Sequence, residues 1–356
     1  TYQKWGEPLI TPRDKLQQLI EFAIEGQPKA IIIDIDLTHP THCITERTNC
    51  VRDSTHLNKA DMSLRDFLEK YGKSSCNGQP CPDLILVKTT QPVLDAQGKP
   101  TLQRQFRRSF LDSIVSDNPH IHWASTLFEL EDNRIRRWRW CEPNRTNQLE
   151  SLPSIQLLIT ELLTPESTAS CAEVKEEDLS QRILYALLPS SEHLPYPLAT
   201  GPDKTQRPLL TNYPAYQLID HPEDVDKNAL KHSITIIGSS YLENNDLYTT
   251  PLGTMPGVVI IVNAIHSLQQ YGLLHKPAWY IAVAIEIISL IIMSIAFTYF
   301  KKSFYGMLFS SLFIIIIIIP LSFWLFKYGA WLDFVIPLIA IQVHRIAEGF
   351  HHLHQN

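Results

Sequence analysis

The sequence predicts an α/β domain over residues 1–276, built on a mixed or parallel sheet with flanking helices, followed by an α-helical bundle of three transmembrane helices over 277–356. Two observations predict this division. Residues 277–356 carry only four of the 31 basic and three of the 37 acidic side chains. Strand-like and helix-like patterns alternate along the first segment, whereas long apolar runs fill the second.

The first part of the α/β domain alternates between helix and strand patterns. A Thr-Pro pair at 11–12 is typical of a helix start, and apolar residues then recur at helical spacing: Leu16, Leu19, Ile20, Ala23 and Ile24. The run AIIIDIDL over 30–37 predicts a buried strand that ends in acidic residues. Helix 63–71, strand 84–89 and helix 102–116 are expected to continue the alternation, which favours a sheet covered by helices.

The second part of the domain is less regular. Residues 121–129 and 134–141 predict a hairpin. Seven prolines between positions 189 and 222 favour a long irregular excursion over the surface. Three further elements are predicted, which are a helix over 154–163, a strand over 233–237 and an amphipathic helix over 257–271.

Three apolar runs predict the membrane helices, over about 279–300, 304–326 and 330–346. The first run would extend over about 33 Å as a helix, enough to cross a hydrocarbon core of about 30 Å. The second contains six consecutive isoleucines. In lipid such a run is expected to be helical, because its backbone must form its hydrogen bonds internally.

The short loops predict the orientation in a bacterial inner (plasma) membrane. Lys301 and Lys302 lie between the first two runs, and Arg345 follows the third. The positive-inside rule places the loop with Lys301 and Lys302, and the segment from Arg345, in the cytoplasm. Residues 1–276 are then expected in the periplasm or extracellular space. Inside the first run, Glu286 is an ionisable group that is expected to face a partner, with Lys327 as the candidate.

All six cysteines lie in the polar domain, at positions Cys43, Cys50, Cys76, Cys81, Cys141 and Cys171. An even number confined to one domain predicts disulfides formed in an oxidising compartment. Six cysteines allow 15 connectivities. Proximity in sequence favours Cys76–Cys81, then Cys43–Cys50, which would leave Cys141–Cys171. Zinc bound near His39, His42 and Cys43 is the less favoured alternative, since no paired C-x-x-C is present.

Several motifs resemble the CHASE type-two domain, an extracytoplasmic sensory module. The most specific is the run from Asn245 to Gly257, NDLYTTPLGTMPG, which follows the strand-like ITIIGSSY at 234–241. Residues 2–14, 30–37 and 134–140 resemble the opening helix, the second strand and the basic strand of the family. The resemblance implies three membrane helices after the domain, and an anchor helix with a first strand before Thr1. It also implies a cytoplasmic output domain, yet only about ten residues follow the last predicted helix, so a signal would pass to a separate partner.

A candidate ligand site follows from the strand ends and the glycine-rich run. Its predicted members are Asp34, Asp36, Gly238, Ser239, Asp246, Thr250, Gly253 and Gly257. Ligands of open α/β sheets bind at the carboxyl ends of strands. The three aspartates there could hold a hard cation, and the start of helix 257–271 could receive an anion. The alternative is purely structural, with the glycines forming a turn and the aspartates capping turns or helices.

The strand-like run at 134–140 interleaves four arginines with two tryptophans. In a cytosolic protein this pattern would suggest nucleic acid, but for an external domain we favour a hairpin strand with two different faces, and no nucleic-acid partner. No resident metal or cofactor is expected, and the histidine-rich tail is interpreted as a flexible segment.

These observations predict a sensory or ligand-binding membrane protein that signals through its helices. Its partners would be the lipid bilayer and a separate protein or a second copy of the chain. The alternative is an assembly subunit of a cell-envelope complex that uses the same domain for protein contacts. An enzyme is not expected, because the sequence has no nucleophile elbow, no paired Cys/His motif and no phosphate-binding loop.

Overall fold

The structure is a computed structural model of the 356-residue chain, and it divides into two compact units, Thr1–Gly272 and Leu273–Asn356. The residues that it describes are 3–5, 10–41, 57–73, 75–76, 78–95, 97–143, 151–164, 171, 180–188, 198–200, 206–239, 246–274, 279–299 and 303–326.

A four-stranded parallel sheet forms the centre of the first unit. Its strands are β1 (Ala30–Asp34), β2 (Asp83–Val87), β5 (Ile121–Ala124) and β13 (Ile234–Gly238), in the spatial order β13-β1-β2-β5. All three pairings are parallel, which confirms the predicted sheet type. Isoleucines 31 to 33 of β1 are completely buried, as expected for a strand covered on both faces.

Helices cover both faces of this sheet. One face packs against α1 (Arg13–Glu25), α2 (Lys59–Lys70) and α3 (Asp112–Asp117). The opposite face packs against α4 (Ile155–Leu163) and α6 (Gly257–Tyr271). A short helix, α5 (Ala215–Asp220), and three 3-10 turns at Gln3–Trp5, Pro222–Asp224 and Lys227–Leu230 complete the helices that the structure describes in this unit.

The chain adds strands to the sheet on one side of β1 first, and later adds β13 on the other side. From β1 the chain builds β2 and then β5 in one direction, with α2 and α3 on the same face. It then crosses to the other face through α4 and returns to place β13 beside β1. The helices that follow β1 and β13 therefore lie on opposite faces, which makes this pair of strands the topological switch point of the sheet.

Hairpins and short ladders surround the central sheet. A three-stranded antiparallel sheet has the order β10-β7-β6, and the other strands pair as β3 with β4, β8 with β9, β11 with β12 and β14 with β15. Their bounds are β3 (Thr90–Leu94), β4 (Pro100–Phe106), β6 (Phe128–Glu131), β7 (Arg134–Arg139), β8 (Cys141–Pro143), β9 (Ser151–Pro153), β10 (Ser180–Arg182), β11 (Leu198–Thr200), β12 (Gln206–Pro208), β14 (Leu247–Thr250) and β15 (Gly253–Pro256).

Two predicted elements are wrong in part. Only the end of the helix expected over 102–116 is helical, because residues up to Phe106 belong to β4, which pairs with β3. The hairpin expected from 121–129 and 134–141 begins only at Phe128, since β5 joins the central sheet instead. In both cases the deciding interaction is a pairing between strands, which a local apolar pattern does not reveal.

Two disulfides confirm part of the predicted pairing. Cys76–Cys81 and Cys141–Cys171 are both bonded, with Cα–Cα distances of 4.9 and 5.8 Å. The predicted pair Cys43–Cys50, and with it the zinc alternative at His42 and Cys43, lies outside the described residues.

The second unit is helical. Helix α7 (Trp279–Tyr299) is followed by α8 (Ser303–Phe313), a π-helical turn at Ile314–Ile318 and α9 (Ile319–Phe326). The isoleucine run is therefore helical as expected, although part of it is widened to a π turn. Within the described residues, one segment, Leu308–Phe326, is long and apolar enough to cross a membrane, while the apolar part of α7, Tyr280–Ala296, is shorter. The predicted third span over 330–346 and Lys327 lie outside the described residues.

Candidate functional site

The carboxyl ends of β1 and β13 bring the first two candidate residues together. Asp34 and Gly238 are the last pair in the register of these strands. A Cβ atom at Gly238 would lie 3.1 Å from Cγ2 of Val258 and 3.3 Å from Cβ of Asp34. Glycine at this position therefore allows Asp34 and the start of α6 to approach the same strand end.

Asp246 reaches this strand end from the segment that leads into β14. Its main-chain oxygen accepts a hydrogen bond from the N–H of Gly257 at 3.0 Å. A Cβ atom at Gly257 would lie 2.8 Å from both carboxylate oxygens of Asp246. The carboxylate thus lies directly against the first residue of α6, where free N–H groups and the helix dipole stabilise negative charge.

The two carboxylates influence each other electrostatically. Burial, and then the charge of Asp246, raise the pKa of Asp34 to about 7. Burial also raises the pKa of Asp246, against hydrogen bonds from the Tyr248 hydroxyl and the Gly257 N–H that lower it. No basic side chain in the described part of the chain is among these causes. The site therefore holds two carboxyl groups whose simultaneous ionisation is unfavourable.

The aspartate pair remains accessible to protons. Asp34 and Asp246 are both partly exposed, and Tyr248 is 41% exposed. Burial and the neighbouring negative charge of Asp246 raise the pKa of the Tyr248 phenol, so this group is a hydrogen-bond donor at neutral pH. Solvent can thus exchange protons with a site whose charged form is poorly solvated.

The other predicted site residues have different local roles. The carboxylate of Asp36, which is exposed, accepts hydrogen bonds from the N–H of Thr38 at 2.9 Å and from the Thr38 hydroxyl. The hydroxyl of Thr250 donates to the carbonyl oxygen of Gly253 at 2.7 Å, and Gly253 has φ of 109° in the β14–β15 turn. These three residues therefore shape a loop and a hairpin turn, while Ser239 follows Gly238 at the strand end.

The arrangement restricts the class of ligand that this site could bind. Asp246 already occupies the start of α6, which argues against the anionic ligand expected there. Two carboxyl groups and a phenol can bind a proton or a cationic group.

The sequence interpretation did not include Tyr248 in the site. Its position two residues after Asp246, in a strand-like stretch, places both side chains on one face.

A second group of possible metal ligands lies on the surface. Ligand atoms of His221, Glu223 and Asp224 all lie within 4.8 Å of one another. All three side chains are exposed. Exposed acidic groups of this kind are common without an ion, so this cluster does not define a metal centre.

Arg137 and Arg139 of β7 form ion pairs within the domain. Arg139 pairs with Glu129 at 3.0 Å and Arg137 with Glu131 at 3.5 Å. Trp138 and Ile135 are 1% and 3% exposed, although they are three residues apart and strict alternation would place them on opposite faces. A register shift between β6 and β7 interrupts the alternation. The predicted hairpin strand is therefore present, but its two faces do not alternate regularly.

Comparison with known families gives one match. The sequence model of the CHASE2 domain matches residues 3–299, which covers the first unit and continues through α7. Neither the curated proteins nor the solved structures give a match. CHASE2 domains are extracytoplasmic sensory domains. Because the match spans most of the chain, the protein belongs to the CHASE2 domain family.

Proposed function

We propose that this protein is a sensor anchored in the bacterial inner membrane, which detects a stimulus with its extracytoplasmic CHASE2 domain and signals through its transmembrane helices to a separate protein partner. The family match supports the sensory role. Anchoring and transmission are supported by the surface of the second unit and by the connection between the two units.

The observation that carries the proposal is the apolar outer surface of the second unit. The buried residues of the second unit include small and polar ones, such as Ser289, Ala296 and Ser310, together with an apolar cluster around Met293 and Ile314. Large apolar side chains also cover the outside: Ile287, Ile288, Ile291 and Ile295 on α7, and Leu308, Leu312, Ile315, Ile316, Phe323 and Trp324 on the helices that follow. A continuous apolar surface of this kind marks a site of interaction with apolar surroundings. Lipid chains are the partner we propose.

The connection between the units supports transmission. Helix α6 begins against Asp246 and ends at Tyr271, and α7 begins at Trp279. A single short segment of the chain therefore joins the candidate site helix to the first apolar helix. A change in the position of α6 can therefore be transmitted along the chain to α7, the first of the proposed membrane helices.

Anchoring is tested by extraction at alkaline pH. The full chain, exported in its native host, should remain with the membrane pellet after carbonate treatment. A matched chain of residues 1–272, exported with a cleavable signal peptide, should appear in the soluble fraction, because it lacks the apolar helices. Release of the full chain by carbonate would contradict the proposal.

Transmission is tested by exchanging the helices. Residues 279–356 are replaced with an unrelated three-span anchor, and partners are purified from native membranes with both proteins. If the helices carry the signal, the exchanged protein should lose the partner that the native chain retains. If the exchanged protein retains it, the CHASE2 domain itself makes the contacts, and the assembly-subunit function replaces the sensor.

A further inference from the structure

A β-bulge places two arginines next to each other on one face of β7. In the ladder of β6 with β7, Glu129 lies opposite Arg137, but the residue after Glu129 lies opposite Ile135. Arg136 is therefore the extra residue of β7. A bulge interrupts the alternation of a strand and can turn a side chain to a different face. Since Ile135 and Trp138 are both buried, we assign Arg136 and Arg137, which lie between them, to the opposite face.

The strand on the other side of β7 adds a third arginine to this face. In the ladder of β10 with β7, Arg182 lies directly opposite Arg137. The hydroxyl of Ser180 on β10 donates to the carboxylate of Glu129, with which Arg139 pairs at 3.0 Å. Side chains two residues apart in a strand lie on one face, so Arg137 and Arg182 share the face of these contacts. We call three residues the arginine cluster: Arg136, Arg137 and Arg182.

The arginine cluster is incompletely neutralised. Positive side chains that lie directly opposite each other in a sheet repel. Glu131 pairs with Arg137 at 3.5 Å. By contrast, Arg136 has no hydrogen-bond or ion-pair partner among the residues that the structure describes, although its Nε is buried. Burial lowers the pKa of Arg182 and the charge of Glu131 raises it, while the two other arginines of the cluster lower it further.

The other carboxylates of this region pair with a different arginine. Arg139 lies 3.0 Å from a carboxylate oxygen of Glu129 and 3.5 Å from one of Glu142. The side chains of Arg137 and Glu131 are 20% and 42% exposed, so a small ion can reach the cluster from the solvent. An acceptor for the guanidinium of Arg136 can therefore come from outside the chain.

Resting on the proposed sensory function, we propose that the arginine cluster is the ligand site of this domain and binds a phosphate group. Guanidinium groups match the geometry of phosphate oxygens, and their hydrogen bonds to an anion are stronger than those between neutral groups. A phosphate group accepts from Arg136 and lowers the repulsion between Arg137 and Arg182. It is carried either by free phosphate or by the headgroup of a lipid.

Binding is measured by isothermal titration calorimetry on the full chain in a maltoside detergent, which contains no phosphate. Inorganic phosphate and glycerol 3-phosphate, the polar part of phosphatidate, are titrated separately at constant ionic strength. We expect saturable binding of at least one of them. Tighter binding of inorganic phosphate identifies the free ion as the ligand, whereas tighter binding of glycerol 3-phosphate identifies the lipid headgroup.

Three variants assign the binding to the arginine cluster. Arg136→Gln breaks no contact with the described residues and should weaken binding about tenfold, because it removes a hydrogen bond between charged groups. Glu131→Gln should strengthen binding several-fold, since it releases Arg137 to the ligand. The matched control is Arg65→Gln on α2, which should leave the affinity unchanged. Arg65 is also partly buried, and its Nε is buried without a hydrogen-bond partner.

Thermal unfolding separates a loss of binding from a loss of folding. Phosphate should raise the unfolding temperature of the native protein, as a ligand that binds only the folded state does. The increase should be smaller in Arg136→Gln. Without phosphate, this variant should unfold at the same temperature as the native protein or a higher one, because it removes a positive charge from the cluster.

Two results would overturn the phosphate site. The first is that neither probe binds, or that sodium chloride at equal ionic strength stabilises the protein as much as phosphate does. The second is that Arg136→Gln binds the probes as tightly as the native protein. Either result leaves the extraction and helix-exchange tests of the sensor unaffected, so the two proposals can fail separately.

Discussion

At the scale of single residues, a buried ion pair fixes the loop that follows β1. Arg13 and Asp61 are 2% and 0% exposed, and Nε of Arg13 lies 3.5 Å from Oδ1 of Asp61. Asp61 also accepts hydrogen bonds from the N–H and hydroxyl of Thr41 at 2.9 and 2.8 Å. The guanidinium donates to the main-chain oxygens of Asp36 and His39. This network joins α1, α2 and the carboxyl end of β1.

Removing one partner of this ion pair should leave the other charge buried without compensation. We expect Arg13→Ala to lower the free energy of unfolding by about 3–5 kcal/mol, measured by urea denaturation. The exposed Gln18 on the same helix provides the control, and Gln18→Ala should change stability by less than about 0.5 kcal/mol. Equal losses in the two variants would show that the ion pair has no special role.

The carboxyl group of Asp34 should also make stability depend on pH. Because the folded pKa of Asp34 is about 7 and its ordinary value is 3.8, the folded state binds a proton that the unfolded chain has already released between these values. The stabilisation is complete below about 3.8 and is lost as the pH rises through about 7, by up to about 4 kcal/mol. Asp34→Asn should abolish this loss, and it should be more stable than the native protein at alkaline pH. Parallel stability profiles of the two proteins would contradict the assignment.

At the scale of elements, a buried amide of α6 binds the neighbouring segment at 184–188. The side-chain oxygen of Asn263 accepts hydrogen bonds from the N–H groups of Ala186 and Leu187 at 3.0 and 2.9 Å, and its nitrogen donates to the oxygen of Leu187 at 2.8 Å. The hydroxyl of Ser267, one turn later, accepts from the N–H of Leu184 at 3.1 Å. A segment without regular structure is thereby bound along the helix.

Replacing this amide should free the segment at 184–188. Asn263→Ala leaves several buried main-chain groups without partners, each worth about 1–3 kcal/mol, so we expect a loss of at least about 2 kcal/mol in thermal or urea unfolding. Gln269→Ala, at an exposed position of the same helix, is the control and should be nearly neutral. A neutral Asn263→Ala would show that the segment does not depend on α6.

At the scale of the whole molecule, the proposed membrane anchoring predicts a definite orientation. We expect a protease added outside spheroplasts to digest the CHASE2 domain and to spare a tag inserted after Lys302, because the positive-inside rule places that loop in the cytoplasm. Permeabilised cells provide the control, in which both sites should be cut. Digestion of the tag in intact spheroplasts would reverse the orientation.

Much of the architecture could be predicted from the sequence because it depends on local patterns. The buried run of β1 predicted a central strand, and the apolar periodicity of 257–271 predicted α6 with the same bounds. Cysteine spacing favoured Cys76–Cys81, which the structure confirms. The motif that ends in Gly257 identified the family correctly.

The candidate site depended on the tertiary structure. The sequence placed eight residues in one group, but could not separate Asp34 and Asp246, which influence each other electrostatically, from Asp36, which bonds within its own loop. That distinction follows from the parallel pairing of β1 with β13, two strands that are far apart in the chain. Residue type and spacing thus determined which groups were available, whereas the order of strands in the sheet decided which carboxyl groups lie together. A local pattern carries no information about that order, because strand pairing is selected by packing across the whole core.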